Sequence, residues 1–358
     1  LSLLFTPLTI RELTAPNRLW VAPMCQYSVD AEDGVPTDWH HVHLAQFASG
    51  GAGLILAEAT AVVPEGRISP QDVGLWNDEQ RDAWRRIVDA VRARGGRLGV
   101  QLAHAGRKAS TFKPWADERG TVPAGRGGWT PVAPSPIAYD GFATPTALDE
   151  EGIAAVIAAF AGAARRAVDA GFDAVELHAA HGYLLHQFLS PLSNERTDQW
   201  GGTLQNRARL VLDVIRTVRA EVGEAYPVFV RFSGTDAAPG GLEVSDIAQV
   251  ATWAEEAGAD LYDVSSAGLV AHQHITPGPG YQVPLAAAVK AAVSVPVGAV
   301  GIIVDGAQAE GILAAGEADV IFAAREFLRD PHFGLRAARE LGEDPATVWP
   351  PQYIRAAR

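Results

Sequence analysis

Three short phrases constrain the fold more than anything else in the chain: Ala170–Asp173 (AGFD), Ala257–Asp260 (AGAD) and Ala315–Asp319 (AGEAD). Each joins an alanine-rich stretch of helical periodicity to a short apolar run. A glycine stops a helix because it takes the left-handed conformation at little cost, and the acid that follows opens a tight turn into a strand. Around these phrases the chain offers eight apolar runs: Leu19–Ala22, Leu54–Ala57, Arg97–Leu102, Ala174–Leu177, Val228–Phe232, Leu261–Val264, Val297–Ala299 and Val320–Phe322. Helical segments lie between them, among them Glu79–Arg94, Glu150–Ala170, Asn206–Val222, Val244–Ala257 and Asp305–Ala315. Strictly alternating units without a composition break predict an α/β chain, a (β/α)8 TIM barrel forming one domain over residues 1–358. A small N-terminal hairpin is expected over the barrel floor. The connection after the third strand, Lys108–Thr146, is long enough to be a lid or substrate loop, and Trp115, Trp129, Tyr139 and Phe142 are costly to leave unpacked. The tail from Pro350 to Arg358 reads as too short and too proline-led for another helix.

Composition narrows the function. The 42 acidic residues against 29 basic ones give a net charge of −13, which argues against a nucleic-acid partner. Cys25 is the single cysteine, so neither an intrachain disulfide nor a chain-bound iron–sulfur cluster is available. The opening LSLLFTPLTIREL has no basic stretch ahead of a long apolar one, which reads as neither signal peptide nor membrane span and predicts a soluble, cytoplasmic protein. None of the three lysines, Lys108, Lys113 and Lys290, ends an apolar run, so a Schiff-base nucleophile is not evident.

In such a barrel the chemistry gathers where strands end. The fourth strand delivers His178, followed by His181 and Tyr183 on a strand-to-helix turn, so that two imidazoles and a phenol converge on one mouth. These can hold an oxyanion and supply a proton. Metal binding would need a third ligand, and no carboxylate or cysteine has the spacing. Glycine-rich backbone at Gly298–Gly301 with Arg325 after the eighth strand is where barrels hold a phosphate. Arg231 stands inside the apolar run FVRF and needs an anionic partner, either a ligand or a carboxylate such as Glu58 or Glu176. His40, His41 and His43 open a helix and read as surface and capping residues. A phosphate grip, the Gln101 amide, an arginine and a facing proton donor together describe flavin mononucleotide (FMN) lying across the mouth.

Several motifs then resemble one family along nearly the whole chain. They are APMCQYS (Ala22–Ser28), EATAV (Glu58–Val62), QLAHAGRKA (Gln101–Ala109), ELHAAHGYLLHQFLSP (Glu176–Pro191), SNERTDQWGG (Ser193–Gly202), GAVG (Gly298–Gly301) and AREFLRDP (Ala324–Pro331). The set resembles the Old Yellow Enzyme family of flavin-dependent ene-reductases, in its shorter, thermophilic-like bacterial subclass. The resemblance implies FMN binding by Ala22, Pro23, Met24, Cys25, Ala59, Gln101, Arg231, Gly301, Ala324 and Arg325, with Cys25 tuning the flavin. It implies that NADPH or NADH reduces FMN, and that hydride passes from flavin N5 to an enone, enal, maleimide or nitroalkene. His178 and His181 would hold the substrate oxygen, Tyr183 would protonate the α-carbon, and Tyr27 would contact substrate. Arg355, in the phrase Gln352–Arg355, would reach a neighbouring subunit's site in a dimer or tetramer.

The chain departs from the family pattern at Trp200, Gln205 and Ala324. If the last position needs a positive φ, alanine there costs on the order of 1 kcal/mol. Other readings are separable. The single cysteine and the length exclude the layout of the larger, cluster-bearing dienoyl-CoA reductases. A metal-dependent barrel hydrolase would want histidines where Pro23–Cys25 stands. A non-enzymatic FMN-binding redox sensor using Cys25 would have no use for His178, His181 and Tyr183.

Overall fold

A computed structural model describes residues 2–357. The chain opens with a hairpin, β1 (Leu8–Ile10) against β2 (Leu13–Ala15), before the first barrel strand, β3 (Leu19–Val21). Then follow α1 (Asp38–Ser49), β4 (Ile55–Ala61), α2 (Asp78–Arg92) and β5 (Leu98–Ala103). The long connection carries a 3-10 turn at Ala124–Arg126 and the two-residue pair β6 (Val132–Ala133) and β7 (Thr146–Ala147). Next come α3 (Glu150–Ala170), β8 (Ala174–Ala179), α4 (Leu184–Leu189), α5 (Leu204–Val222), β9 (Val228–Ser233), α6 (Val244–Ala257) and β10 (Leu261–Ser265). The chain continues through α7 (Val283–Lys290), β11 (Val297–Ala299), α8 (Gly306–Ala314), β12 (Val320–Ala323), α9 (Arg325–Arg329), α10 (Phe333–Glu340) and α11 (Pro345–Val348). Strands β3, β4, β5, β8, β9, β10, β11 and β12 close, in that order, into a parallel barrel. The alternation in the sequence therefore folds as a (β/α)8 barrel.

The three glycine phrases act as expected and do something more. Gly171 and Gly258 cap α3 and α6 in the left-handed region, at φ 90° and 111°. The acid of each phrase then takes the first amide of the preceding strand: Asp173 accepts from Leu98 N at 2.8 Å, Asp260 from Val228 N at 2.8 Å and Asp319 from Val297 N at 2.9 Å. One phrase thus ends a helix, turns the chain and fixes the start of the neighbouring strand.

The barrel interior below the mouth is filled by Trp20, Leu54, Leu56, Phe229, Leu261 and Phe322, and the hairpin seals it from below with Ile10, Leu13 and Ala15. A second apolar layer lies between strands and helices. A register shift in the β4–β5 ladder between Ala57 and Ala59 bulges the strand at Glu58, beside the mouth.

Four expectations need correction. The tail is not without helix: residues Pro351–Ala357 form a 3-10 turn of helix, while Arg358 lies outside the described residues. His40 and His43 are buried rather than superficial. His40 does complete the N-terminal cap of α1, accepting from Thr37 N at 2.9 Å, while its Nε2 lies 3.4 Å from Glu58. Trp115 is 59% exposed, so the long loop is not held by burying that ring. It is held by Trp129, whose indole donates to Glu65 O at 2.8 Å, and by Arg107, which donates to Ile137 O and Leu269 O. Ala324, finally, has φ −111°, so no positive-φ penalty falls on it.

Candidate active site

A polar belt runs round the upper rim of the barrel. The ladders set Gln101 beside Glu176, His178 beside Arg231, and Arg231 beside Asp263. Gln101 Nε2 donates to Glu176 Oε1 at 2.8 Å. The partner of Arg231 is Asp263, not Glu58 or Glu176, with Nε and Oδ2 2.8 Å apart but not aligned as a hydrogen bond. Burial pushes both carboxyls upward, and the Arg231 charge opposes the rise. Glu176 Oε2, His178 Nδ1, Arg231 Nε and both Asp263 oxygens are buried without a hydrogen-bond partner among the described residues. So many orphaned polar atoms on one rim point to a polar ligand that satisfies them.

After β11 and β12 the rim opens into a cleft of about 240 Å³ lined by Val300–Val304, Ala323–Glu326, Tyr281 and Gln282. Gly301 has φ 134°, a conformation that favours glycine, and a Cβ there would press on Tyr281 and Gln282 at 3.2 Å. Arg325 is exposed at this cleft and makes no ion pair among the described residues. A bare guanidinium beside open glycine backbone suits a phosphate, and the rim suits a planar polar ring. The residues present therefore fit FMN.

Opposite stands the aromatic cluster. His178 lies 5.2 Å from His181 and 4.9 Å from Tyr183, centroid to centroid. His181 and Gly182 are left-handed, at φ 58° and 74°, which swings the chain from β8 into α4 and turns both rings back over the barrel. Burial holds both imidazoles well below their usual range, with Arg231 next in effect, so both are neutral near neutral pH. Burial likewise pushes the Tyr183 phenol well above its usual range and keeps it protonated. His181 Nε2 is engaged by Ser265 Oγ at 2.8 Å, leaving its Nδ1 free.

Cys25, Tyr27 and Tyr183 pack into one small apolar cluster with Ala59. Tyr27, at φ 49°, meets Trp115 edge to face at 5.7 Å. Burial raises the Cys25 thiol well above its ordinary value, and Asp72 and Glu58 add to the rise. Ala22 donates its amide to Ala323 O, and Met24 O receives the Gln26 side chain, which fixes the Ala22–Cys25 segment over the seam between β12 and β3. The structure thus gathers every site residue predicted from sequence except Arg355, which is exposed on the tail where Tyr353 rests on His332. Sequence reading missed Lys108, Gln282 and Tyr281. The glycine-rich approach to Tyr281 and Gln282 is a usable signal, as is the place of Lys108 in the motif Gln101–Ala109.

Among the described residues no group of three or more His, Cys, Asp or Glu side chains is arranged to hold a metal ion, and no helix is long and apolar enough to cross a membrane. The fold and rim define a flavin-binding barrel oxidoreductase. Residues 3–344 match the model of the NADH:flavin oxidoreductase / NADH oxidase family, and the chain belongs to that family. It is 46% identical over 354 residues to an NADPH dehydrogenase of Bacillus cytotoxicus, covering 99% of this chain and 96% of that protein. With the NADPH dehydrogenase of Bacillus subtilis the identity is 45%, with 98% of each chain covered. Among solved structures, morphinone reductase superposes with a TM-score of 0.79 at 29% identity, over 98% of this chain and 93% of that one. The old yellow enzyme homologue of Zymomonas mobilis gives 0.78 at 28% identity over 99% of both chains. The protein is an NAD(P)H-dependent flavin oxidoreductase with FMN as its cofactor.

Proposed function

We propose that this single-domain protein is an ene-reductase that reduces activated C=C bonds of α,β-unsaturated carbonyl or nitro compounds at the expense of NADPH or NADH. One observation carries the reading: His178, His181 and Tyr183 meet at ring distances near 5 Å on the mouth, with His178 beside Arg231. Ala22, Pro23, Met24, Cys25, Ala59 and Gln101 would line FMN, Arg231 would offset its negative charge, and Gly301, Ala324 and Arg325 would take its phosphate. Bound FMN supplies the two-electron chemistry.

The chain supplies orientation, hydrogen bonds and a proton. Neutral imidazoles donate N–H groups without carrying charge, so His178 and His181 suit a substrate oxygen on which negative charge grows. Ser265 Oγ bridges His181 Nε2 at 2.8 Å and Gln282 Oε1 at 3.2 Å, which fixes the orientation of the His181 ring. Tyr183, kept protonated by burial, gives its phenolic proton to the α-carbon and regains one from water. Tyr27 forms a side wall. The exposed tail residues Tyr353, Ile354 and Arg355 suit docking on a second copy, with Arg355 entering that copy's mouth in a homo-oligomer. We assign the protein to the cytoplasm, since its one cysteine needs no oxidising compartment.

A redox sensor built on Cys25 is the weaker reading, because a thiol pushed upward by burial and by neighbouring carboxylates is poorly reactive. Anaerobic oxidation of NADPH by 2-cyclohexen-1-one tests the choice: sustained turnover supports the ene-reductase, and its absence in flavin-loaded protein contradicts it.

A further inference from the structure

Lys108 has no part in the chemistry above, yet its amine contacts two members of the aromatic cluster, His181 and Tyr183. Its Nζ donates to His181 O and to Gly268 O, both at 2.9 Å. The same Nζ stands 5.0 Å from the ring centroid of Tyr183 and 5.0 Å from that of Tyr139 on the long loop. The two carbonyls belong to segments that are both left-handed, His181–Gly182 and Ala267–Gly268, and a Cβ on Gly182 would come within 2.3 Å of Gly268 O. Backbone in that conformation persists only where its surroundings hold it. Ser233 holds His181 N, His186 holds Gly182 N and Gln187 holds Gly182 O; Lys108 holds the remaining carbonyl.

We propose that Lys108 is a positioning residue for this reaction, acting through Tyr183 and His181. Its ammonium pins the turn that aims them and places positive charge against the phenol ring that must release a proton. The inference rests on the ene-reductase reading. When the Tyr183 O–H bond breaks, the proton goes to the α-carbon and its electron pair stays on oxygen as a phenolate, until water returns a proton. A cation held against an aromatic ring is attracted by the neutral π face and more strongly by the phenolate. The groups facing the amine are Arg107 on its own turn, Tyr139 from the loop, and His178, His181 and Tyr183 from the end of β8; Asp140 and Asp236 act on Arg107. Among the described residues no carboxylate pairs with the ammonium, and burial pulls its pKa down to about 8. The ammonium is complete below that value and disappears as pH rises through it, so the proton-delivering step should slow on the alkaline side.

The test uses FMN-loaded wild type, Lys108→Met and Lys108→Arg, with the two half-reactions followed separately by flavin absorbance. Lys108→Met is expected to slow reoxidation by 2-cyclohexen-1-one by about tenfold or more while flavin reduction by NADPH changes by less than about threefold. Wild type should lose reoxidation rate above about pH 8, Lys108→Met should lack that limb, and Lys108→Arg should keep the rate with the limb abolished. Binding of p-nitrophenol, read by its own absorbance, should weaken in Lys108→Met and recover in Lys108→Arg. Equal slowing of both half-reactions in Lys108→Met overturns the proposal, as does no change in either. Should the methionine variant fail to fold, an alkaline limb that persists in Lys108→Arg assigns it to another group, such as Glu176, and overturns the proposal too. A wild type that never reoxidises with the enone sinks the ene-reductase reading itself, a result distinct from a working wild type matched by Lys108→Met.

Discussion

Arg231 and Asp263 face each other across β9 and β10 with Nε and Oδ2 2.8 Å apart, and both side chains are buried. Removing one member of such a pair strands the other charge. Asp263→Ala should therefore destabilise the cofactor-free protein by about 3–5 kcal/mol, read as a lower urea midpoint. Added FMN should recover part of the loss, since Arg231 then regains an electron-rich partner. An unchanged midpoint would show that the guanidinium is already satisfied by solvent.

Tyr183→Phe removes one oxygen and keeps the ring that packs on His178. Reoxidation of the flavin by an activated alkene should fall by about a hundredfold or more, while reduction by NADPH stays nearly constant. Stopped-flow measurement of each half-reaction decides it. Equal losses in both would deny Tyr183 a proton-donor role.

His178→Ala combined with His181→Ala should weaken p-nitrophenol binding by about two orders of magnitude, as two hydrogen bonds to an anion are lost. Each single variant should fall between. Unchanged affinity in a titration would remove both imidazoles from the oxygen site.

Acid should destabilise the fold through histidines that are buried in their neutral form. His104 is fully buried with its pKa pulled down to about 4, whereas an unfolded histidine titrates near 6.5. The unfolded chain therefore binds the proton first. Stability is complete above about pH 6.5 and falls as pH drops toward about 4, by about 3 kcal/mol for this residue. His43, also pulled down to about 4, acts in the same direction. In His104→Gln the acid midpoint should move to lower pH; a midpoint that stays put contradicts the assignment.

The barrel strands were legible because each is a continuous apolar run between turn signals, and seven of the eight lie within two residues of the expected limits at either end. The exception is β4, which continues through Glu58 to Ala61 by means of a bulge that periodicity does not show. His178, His181 and Tyr183 were legible because six consecutive positions place them together. The Arg231–Asp263 pair was not, since the partners lie 32 positions apart and only the β9–β10 register makes them neighbours. The contacts of Lys108 were hidden for the same reason: its partners at His181 and Gly268 come from two other strand ends. His40 and His43 were misread because three histidines in a row of four suggest a wet face. In fact α1 turns two of them inward, one toward Glu58 and one against Phe47.

Mixing the purified, FMN-loaded protein anaerobically with one equivalent of NADPH, and then with 2-cyclohexen-1-one, decides whether this mouth reduces activated alkenes. The visible flavin bands should bleach on the first addition and return on the second, with cyclohexanone as product. Bands that bleach and stay bleached when the enone is added would contradict the role given to His178, His181 and Tyr183.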